Sequence, residues 1–230
     1  MLAPDEIADR YASLRERVDG AARRAHRDGS TVRIVLASKT NPPEAIAAAH
    51  AAGARDFGEN YVQEAARKQD ALAHLDGLRW HLIGHLQTNK ARDAASRFVL
   101  IHSLDSARLA SALANARPTP PVPVLIEVNL GAEPTKTGVA AEFAERLIHD
   151  IRGRVEVLGL MTIPPPTADP ARDSRRHFAA LRAMRDRLAA LTGLALEELS
   201  MGMTDDFEIA IDEGATMIRV GRAVFGERIR

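Results

Sequence analysis

Val32-Arg33-Ile34-Val35-Leu36-Ala37-Ser38-Lys39-Thr40-Asn41-Pro42 opens as a run of aliphatic residues and closes on a proline, and an alanine-rich stretch then runs to Ala52 before Gly53. The aliphatic run has the length of one strand. Asn41-Pro42 suits a helix start and Gly53 a helix stop. A strand that feeds directly into a helix is the repeating unit of parallel α/β folds. The alternation recurs, with predicted strands at 55–57, 80–83, 99–102, 122–128, 155–161, 199–201 and 217–220. Eight strands within 230 residues meet the requirement of a single (β/α)8 TIM-type barrel, whereas an open doubly wound sheet of this length stops at five or six. Upstream, residues 4–29 carry Ile7, Tyr11, Leu14 and Val18 at helical spacing and read as one extra N-terminal amphipathic helix. The proline-bearing segments 117–121, 131–134 and 164–170 are too short to tether domains, so a single domain over residues 1–230 is expected.

Thirty-one basic residues balance thirty-one acidic ones, so no long-range field gathers nucleic acid or anionic membrane, and a small-molecule ligand is favoured. The absence of cysteine excludes disulfides, thiolate catalysis and cysteine-held metals. Met1-Leu2-Ala3-Pro4-Asp5-Glu6 lacks a basic region and an apolar core, and no apolar run approaches a membrane span, so a cytoplasmic location is expected. A barrel closes its own sheet, which makes a monomer the expectation.

Active sites of such barrels form where the strands end, and several predicted strands end on polar residues. The first ends Ala37-Ser38-Lys39-Thr40, which aims an ammonium at the barrel mouth. A solvated lysine, with a pKa of about 10.4, is a poor nucleophile at neutral pH, but partial burial or nearby positive charge lowers it enough to attack an aldehyde. The bland alternative is a lysine snorkelling from a strand end. Leu199-Ser200-Met201-Gly202-Met203-Thr204-Asp205-Asp206-Phe207-Glu208 reads as a strand, a glycine turn and a helix start with an Asp205-x-x-Glu208 capping pattern. Ile218-Arg219-Val220-Gly221 ends the last strand on a glycine that lets the backbone approach an anion. The loops after strands seven and eight are the recurrent phosphate place of this fold. Arg219 alternates with Ile218 and Val220, so it faces the barrel interior, where it needs either a salt-bridge partner or a ligand. Asn60 and His85 also fall at strand ends. His81 and His85 lie four apart on a strand-to-loop segment without an HExxH pattern, so a metal site is not expected.

Ala37-Ser38-Lys39-Thr40, the run 57–64 (FGENYVQE), the run 80–90 (WHLIGHLQTNK), Gly159-Leu160-Met161, Leu199-Ser200-Met201-Gly202-Met203 and Ile218-Arg219-Val220-Gly221 occur in this order, and with them the chain resembles the pyridoxal 5′-phosphate (PLP) homeostasis protein family. The resemblance implies a fold type III PLP-binding barrel like the N-terminal domain of alanine racemase. It implies PLP as the cofactor, held as a Schiff base on Lys39, with Asn60 beside the ring and Arg219 facing the pyridine nitrogen. Ser200, Met201 and Gly221 would form the phosphate cradle, and Lys136 matches a lysine associated with a secondary PLP site. Two positions depart from the family pattern: Asn41 replaces a second lysine, and Arg222 stands where relatives carry threonine.

PLP chemistry is deepened by a protonated pyridine nitrogen paired with a carboxylate, whereas an arginine there leaves the nitrogen unprotonated. Racemases of this arrangement also use a tyrosine base from a second domain, and the only tyrosines here are Tyr11 and Tyr61. A carrier that takes part in PLP homeostasis and hands PLP to apo-enzymes is therefore expected rather than an enzyme. The rivals are a PLP-dependent racemase or lyase, and an aldolase-like use of Lys39 on a sugar phosphate.

Overall fold

The computed structural model describes residues 2–117, 119–131, 137–165, 167 and 169–227. Its strands are β1 (Arg33–Ala37), β2 (Asp56–Glu59), β3 (Arg79–Leu82), β4 (Leu100–Leu104), β5 (Pro123–Asn129), β6 (Val139–Ala140), β7 (Glu156–Met161), β8 (Glu198–Ser200) and β9 (Met217–Val220). The helices are α1 (Pro4–Arg24), α2 (Pro43–Ala51), α3 (Val62–Ala71), α4 (Ala91–Arg97), α5 (Ala107–Ala116), α6 (Ala144–Ile151), α7 (Pro170–Thr192), α8 (Phe207–Asp212) and α9 (Arg222–Phe225). Every strand pairing is parallel, in the order β4-β3-β2-β1-β9-β8-β7-β5, and β4 pairs back onto β5. The eight expected strands therefore close into the expected barrel. The two-residue β6 is an appendage on β5 that sequence alone did not suggest.

Strand residues alternate between two environments. Ile34, Leu36, Phe57, Leu82, Ile101, Leu199, Ile218 and Val220 pack outward in the large cluster beneath the helices. Leu100, Leu125, Met161 and Met217 form a separate small cluster, the apolar layer of the barrel interior. Because both faces of the sheet are covered, the strands read as near-continuous apolar runs. Gly159 permits close strand approach: a Cβ there would lie 1.9 Å from the Glu198 carbonyl oxygen of neighbouring β8.

Two local expectations are corrected. The first helix ends at Arg24, short of the Gly29 stop the sequence suggested, because His26 adopts a left-handed φ of 55° and the chain turns into a short 3-10 segment. Ile7, Tyr11, Leu14 and Val18 are buried as the spacing requires, against α2, α8 and α9. The Asp205-x-x-Glu208 capping pair does not form. Asp205 instead pairs with Arg222, Glu208 with Arg17 and Arg24, and Asp206 ties the turn by accepting from the Met203 N–H at 2.7 Å.

Candidate functional site

Lys39 sits one residue beyond Ser38, whose N–H continues the β1 ladder by donating to the Gly58 carbonyl. Thr40 follows with φ 67°, a left-handed conformation that a β-branched residue adopts only under restraint, at a cost on the order of 1–3 kcal/mol. The restraint comes from α3. Glu64 Oε1 accepts from the Thr40 N–H at 2.7 Å, and Lys68 Nζ donates to the Ser38 carbonyl at 2.8 Å and to Glu59 Oε1 and Glu64 Oε1 at 2.7 Å each. The Ser38 hydroxyl donates to the same Glu59 oxygen at 2.6 Å. Glu59 and Lys68 are buried, so this clamp works in low dielectric. Burial pushes the Glu59 carboxyl up against the donors Lys68 and Ser38, while Glu64, less buried, is held down by Lys68 and the Thr40 N–H despite its own desolvation.

A cavity of about 460 Å³ opens at the C-terminal mouth of the barrel, lined among others by Lys39, Asn60, Ile163, Thr204, Arg219 and Gly221. Four residues singled out in the sequence thus meet in one place. Asn60 directly follows β2, and its backbone packs so closely on the turn after β3 that a Cβ on Gly84 would lie 2.5 Å from the Asn60 carbonyl oxygen. Gly221 allows β9 to approach β1, where a Cβ would stand 2.9 Å from the Ala37 oxygen. Arg219 is 4% exposed. It donates from Nη1 to Ser200 Oγ at 2.5 Å and from Nη2 to the Thr162 carbonyl at 2.9 Å. Burial pushes its guanidinium down to about 10, opposed by Glu127 and Asp206. It therefore remains a cation at neutral pH. Of the two partners the sequence allowed it, an acidic residue is not among its hydrogen-bond acceptors within the described residues.

Ser200 and Met201 are not among the residues that line this cavity. The Ser200 hydroxyl lies inside the barrel between Arg219 and His102, and the fully buried Met201 donates its N–H to the Met217 carbonyl. Met203 and Thr204, just past Gly202, reach the cavity instead. Lys136 lies outside the described residues. Asn41 and Arg222, the two departures, both line the cavity. Arg222 is tied to Asp205 and Glu227. His85 lies apart, 3.5 Å from Asp105, and among the described residues no group of three His, Asp or Glu could hold a metal ion.

Sequence reading missed the Lys68–Glu59–Glu64 clamp. Its only local signal was the i, i+4 spacing of Glu64 and Lys68 on one helix.

Residues 10–229 match the family model described as alanine racemase, N-terminal domain. The pyridoxal phosphate homeostasis protein of Pseudomonas aeruginosa is 45% identical over 226 residues, 96% of each chain. That of Aquifex aeolicus is 45% identical over 224 residues, 96% of this chain and 97% of its own. The structure of PipY from Synechococcus elongatus with PLP bound superposes with a TM-score of 0.85 at 39% identity, covering 96% of this chain and 100% of that one. Alanine racemase from Corynebacterium glutamicum superposes with a TM-score of 0.76 at 20% identity, covering 98% of this chain and 61% of that one, which is a likeness of fold.

Proposed function

The chain belongs to the alanine racemase N-terminal domain family and, within it, to the pyridoxal phosphate homeostasis proteins, and from that premise we infer that it carries PLP as a Schiff base on Lys39. The observation that supports this best is the meeting of Lys39 and the buried Arg219 in one cavity at the strand ends. The donor set fits the group. A primary amine suits the aldehyde, a permanent cation suits an unprotonated pyridine nitrogen, and Gly221 gives backbone access for a phosphate. Asn60 stands beside the ring, and Ser200 acts through Arg219 rather than on the ligand directly. When bound, PLP supplies a reactive aldehyde and an electron sink, and a guanidinium at the ring nitrogen keeps that sink shallow.

The protein is accordingly a carrier that takes part in PLP homeostasis, delivering PLP to apo-enzymes in the cytoplasm without turnover of its own. Among the described residues no helix is long and apolar enough to cross a membrane, which agrees with that role. The test is an absorption spectrum of wild type and Lys39→Ala, each incubated with PLP, desalted, and scanned before and after borohydride. An imine band in the wild type alone, with PLP left covalently on Lys39 after reduction, supports the reading. A colourless wild type, or a mutant with the same band, removes Lys39 from the role. Accumulation of a D-amino acid or keto product would replace the carrier with a racemase or lyase.

A further inference from the structure

The barrel interior holds more than its apolar layer. Below Arg219, side chains from five strands meet in one unbroken hydrogen-bond chain. Arg219 Nη1 on β9 lies 2.5 Å from Ser200 Oγ on β8, and Ser200 Oγ lies 2.8 Å from His102 Nδ1 on β4. His102 Nε2 is 3.0 Å from His81 Nδ1 on β3, and His81 Nε2 is 2.9 Å from Asp56 Oδ1 on β2. Asp56 in turn receives Arg79 Nε at 2.8 Å and Nη2 at 2.6 Å. Asp56, His81, His102, Ser200 and Arg219 are all buried. Ser200 and His102 bridge the hollow of the barrel, because β8 and β4 are not neighbours in the sheet.

The two ends fix the direction of every bond between them. A guanidinium only donates and an ionised carboxylate only accepts. Ser200 Oγ therefore accepts from Arg219 and gives its own proton to His102 Nδ1. That leaves His102 with its hydrogen on Nε2, where it donates to His81 Nδ1. His81 likewise keeps its hydrogen on Nε2 and donates to Asp56. The opposite tautomers would set a bare imidazole nitrogen 2.9 Å from a carboxylate oxygen and leave the serine proton without an acceptor along the chain. Burial lowers His81, against the pull of Asp56, and lowers His102 still further, helped by His81, Arg219 and Arg33. Burial works against Asp56, but the Arg79 and His81 donors outweigh it and hold the carboxyl down to about 2.

We propose that Asp56, His81, His102 and Ser200 are positioning residues for Arg219: a one-way chain that carries the influence of a carboxylate across the barrel and holds the guanidinium oriented and charged at the cofactor cavity. This rests on the PLP reading of that cavity. A buried guanidinium hydrogen-bonded to a hydroxyl and a carbonyl needs a counter-charge. Glu127 and Asp206 supply part of it through space, and three neutral groups aligned head to tail add the polarising influence of Asp56, with no acid hydrogen-bonded to the guanidinium among the described residues. Barrel interiors are ordinarily filled with branched aliphatic residues, and a core of that kind would satisfy stability alone. Here the polar chain begins at the cavity-lining arginine and ends at Asp56, which lines a second cavity of about 400 Å³ at the opposite mouth.

The test reads the imidazoles of the full chain without PLP by nitrogen-15 NMR, and then PLP binding. In the wild type both His81 and His102 are expected to show pyrrole-type Nε2 and pyridine-type Nδ1. Asp56→Asn is nearly isosteric and removes the anchoring charge. It is expected to shift the ring nitrogens of His102, two links away, to displace the absorption maximum of bound PLP, and to weaken PLP retention about tenfold, the scale of one charge-assisted hydrogen bond. Glu198→Gln, at the same mouth but outside the chain, is expected to change neither the tautomers nor the spectrum. An Nδ1–H or doubly protonated imidazole in the wild type overturns the chain, and this result requires no variant to fold. So does Asp56→Asn with unaltered His102 resonances and an unaltered PLP spectrum. A wild type with the expected tautomers that takes up no PLP overturns the cavity reading and with it the purpose of the chain, a failure distinct from the other two.

Discussion

Lys68 Nζ lies 2.8 Å from the Ser38 carbonyl oxygen, so α3 grips the end of β1 one residue before Lys39. The same ammonium neutralises Glu59, which is fully buried and whose Oε2 has no hydrogen-bond partner among the described residues. Lys68→Met therefore strands a carboxylate in the core. Urea unfolding is expected to show a loss of about 3–5 kcal/mol. Adding Glu59→Gln is expected to recover part of that loss, so that the two changes together cost less than their sum. Strict additivity would mean that the pair is not coupled.

Gly84 and Gly53 make a contrasting pair. A methyl on Gly84 would lie 2.5 Å from the Asn60 oxygen and 2.7 Å from its Cα, so Gly84→Ala must displace the backbone of a cavity residue. Gly53 has φ +102° but nothing within 4 Å of an added Cβ, so Gly53→Ala incurs only backbone strain, about 1 kcal/mol. PLP retention by equilibrium dialysis is expected to fall about tenfold for Gly84→Ala, the 1.4 kcal/mol of a modest misplacement, and to stay level for Gly53→Ala.

The buried imidazoles set the acid response. His81 and His102 both have folded pKa values below the ordinary one, so the unfolded chain binds more protons than the native one once pH drops below about 6.5. Stability is therefore full above that value and falls as pH is lowered, by up to about 1.4 kcal/mol per pH unit for each histidine. Asp56, at about 2, keeps its own contribution until pH falls through roughly 4 towards 2. Glu59 and Glu127 are raised and act in the opposite sense, regaining stability as they take up protons. Unfolding free energies measured from pH 7 to pH 5 are expected to decline, and His102→Gln is expected to flatten the slope. An equally steep decline in that variant would assign the loss elsewhere.

Arg222 is 46% exposed on its side chain and already paired with Asp205 and Glu227, so little of its charge is left for an anion. Arg222→Thr is expected to change unfolding free energy by less than about 0.5 kcal/mol and PLP retention by less than about tenfold. A larger loss of retention alone would make Arg222 a phosphate ligand.

Local pattern carried the barrel a long way. β9 was legible to the residue, because Met217 and Val220 are bounded by polar and glycine neighbours. β2 and β4 each run two residues past the expected end, since a strand stops where its ladder partner stops and not where its apolar run does. Lys39, Asn60, Arg219 and Gly221 could be named in advance because strand ends converge at one mouth of any such barrel. The partners of the Ser200 hydroxyl could not be read in advance. Its neighbours in sequence say that it ends a strand, but only the barrel's curvature turns its hydroxyl towards His102, a residue 98 positions away.

The sequence by itself determined the order of strands and helices, the lysine at the first strand end and the arginine on the last, because periodicity and turn residues act over a few neighbouring positions. Tertiary structure alone decided what those two residues work with: the clamp from α3 behind Lys39, and the chain of buried donors behind Arg219. Each is assembled from residues whose separation along the chain leaves no local trace. Their meeting depends on closure of the sheet, which brings β8 across from β4 and removes the water that would otherwise satisfy every group in the chain.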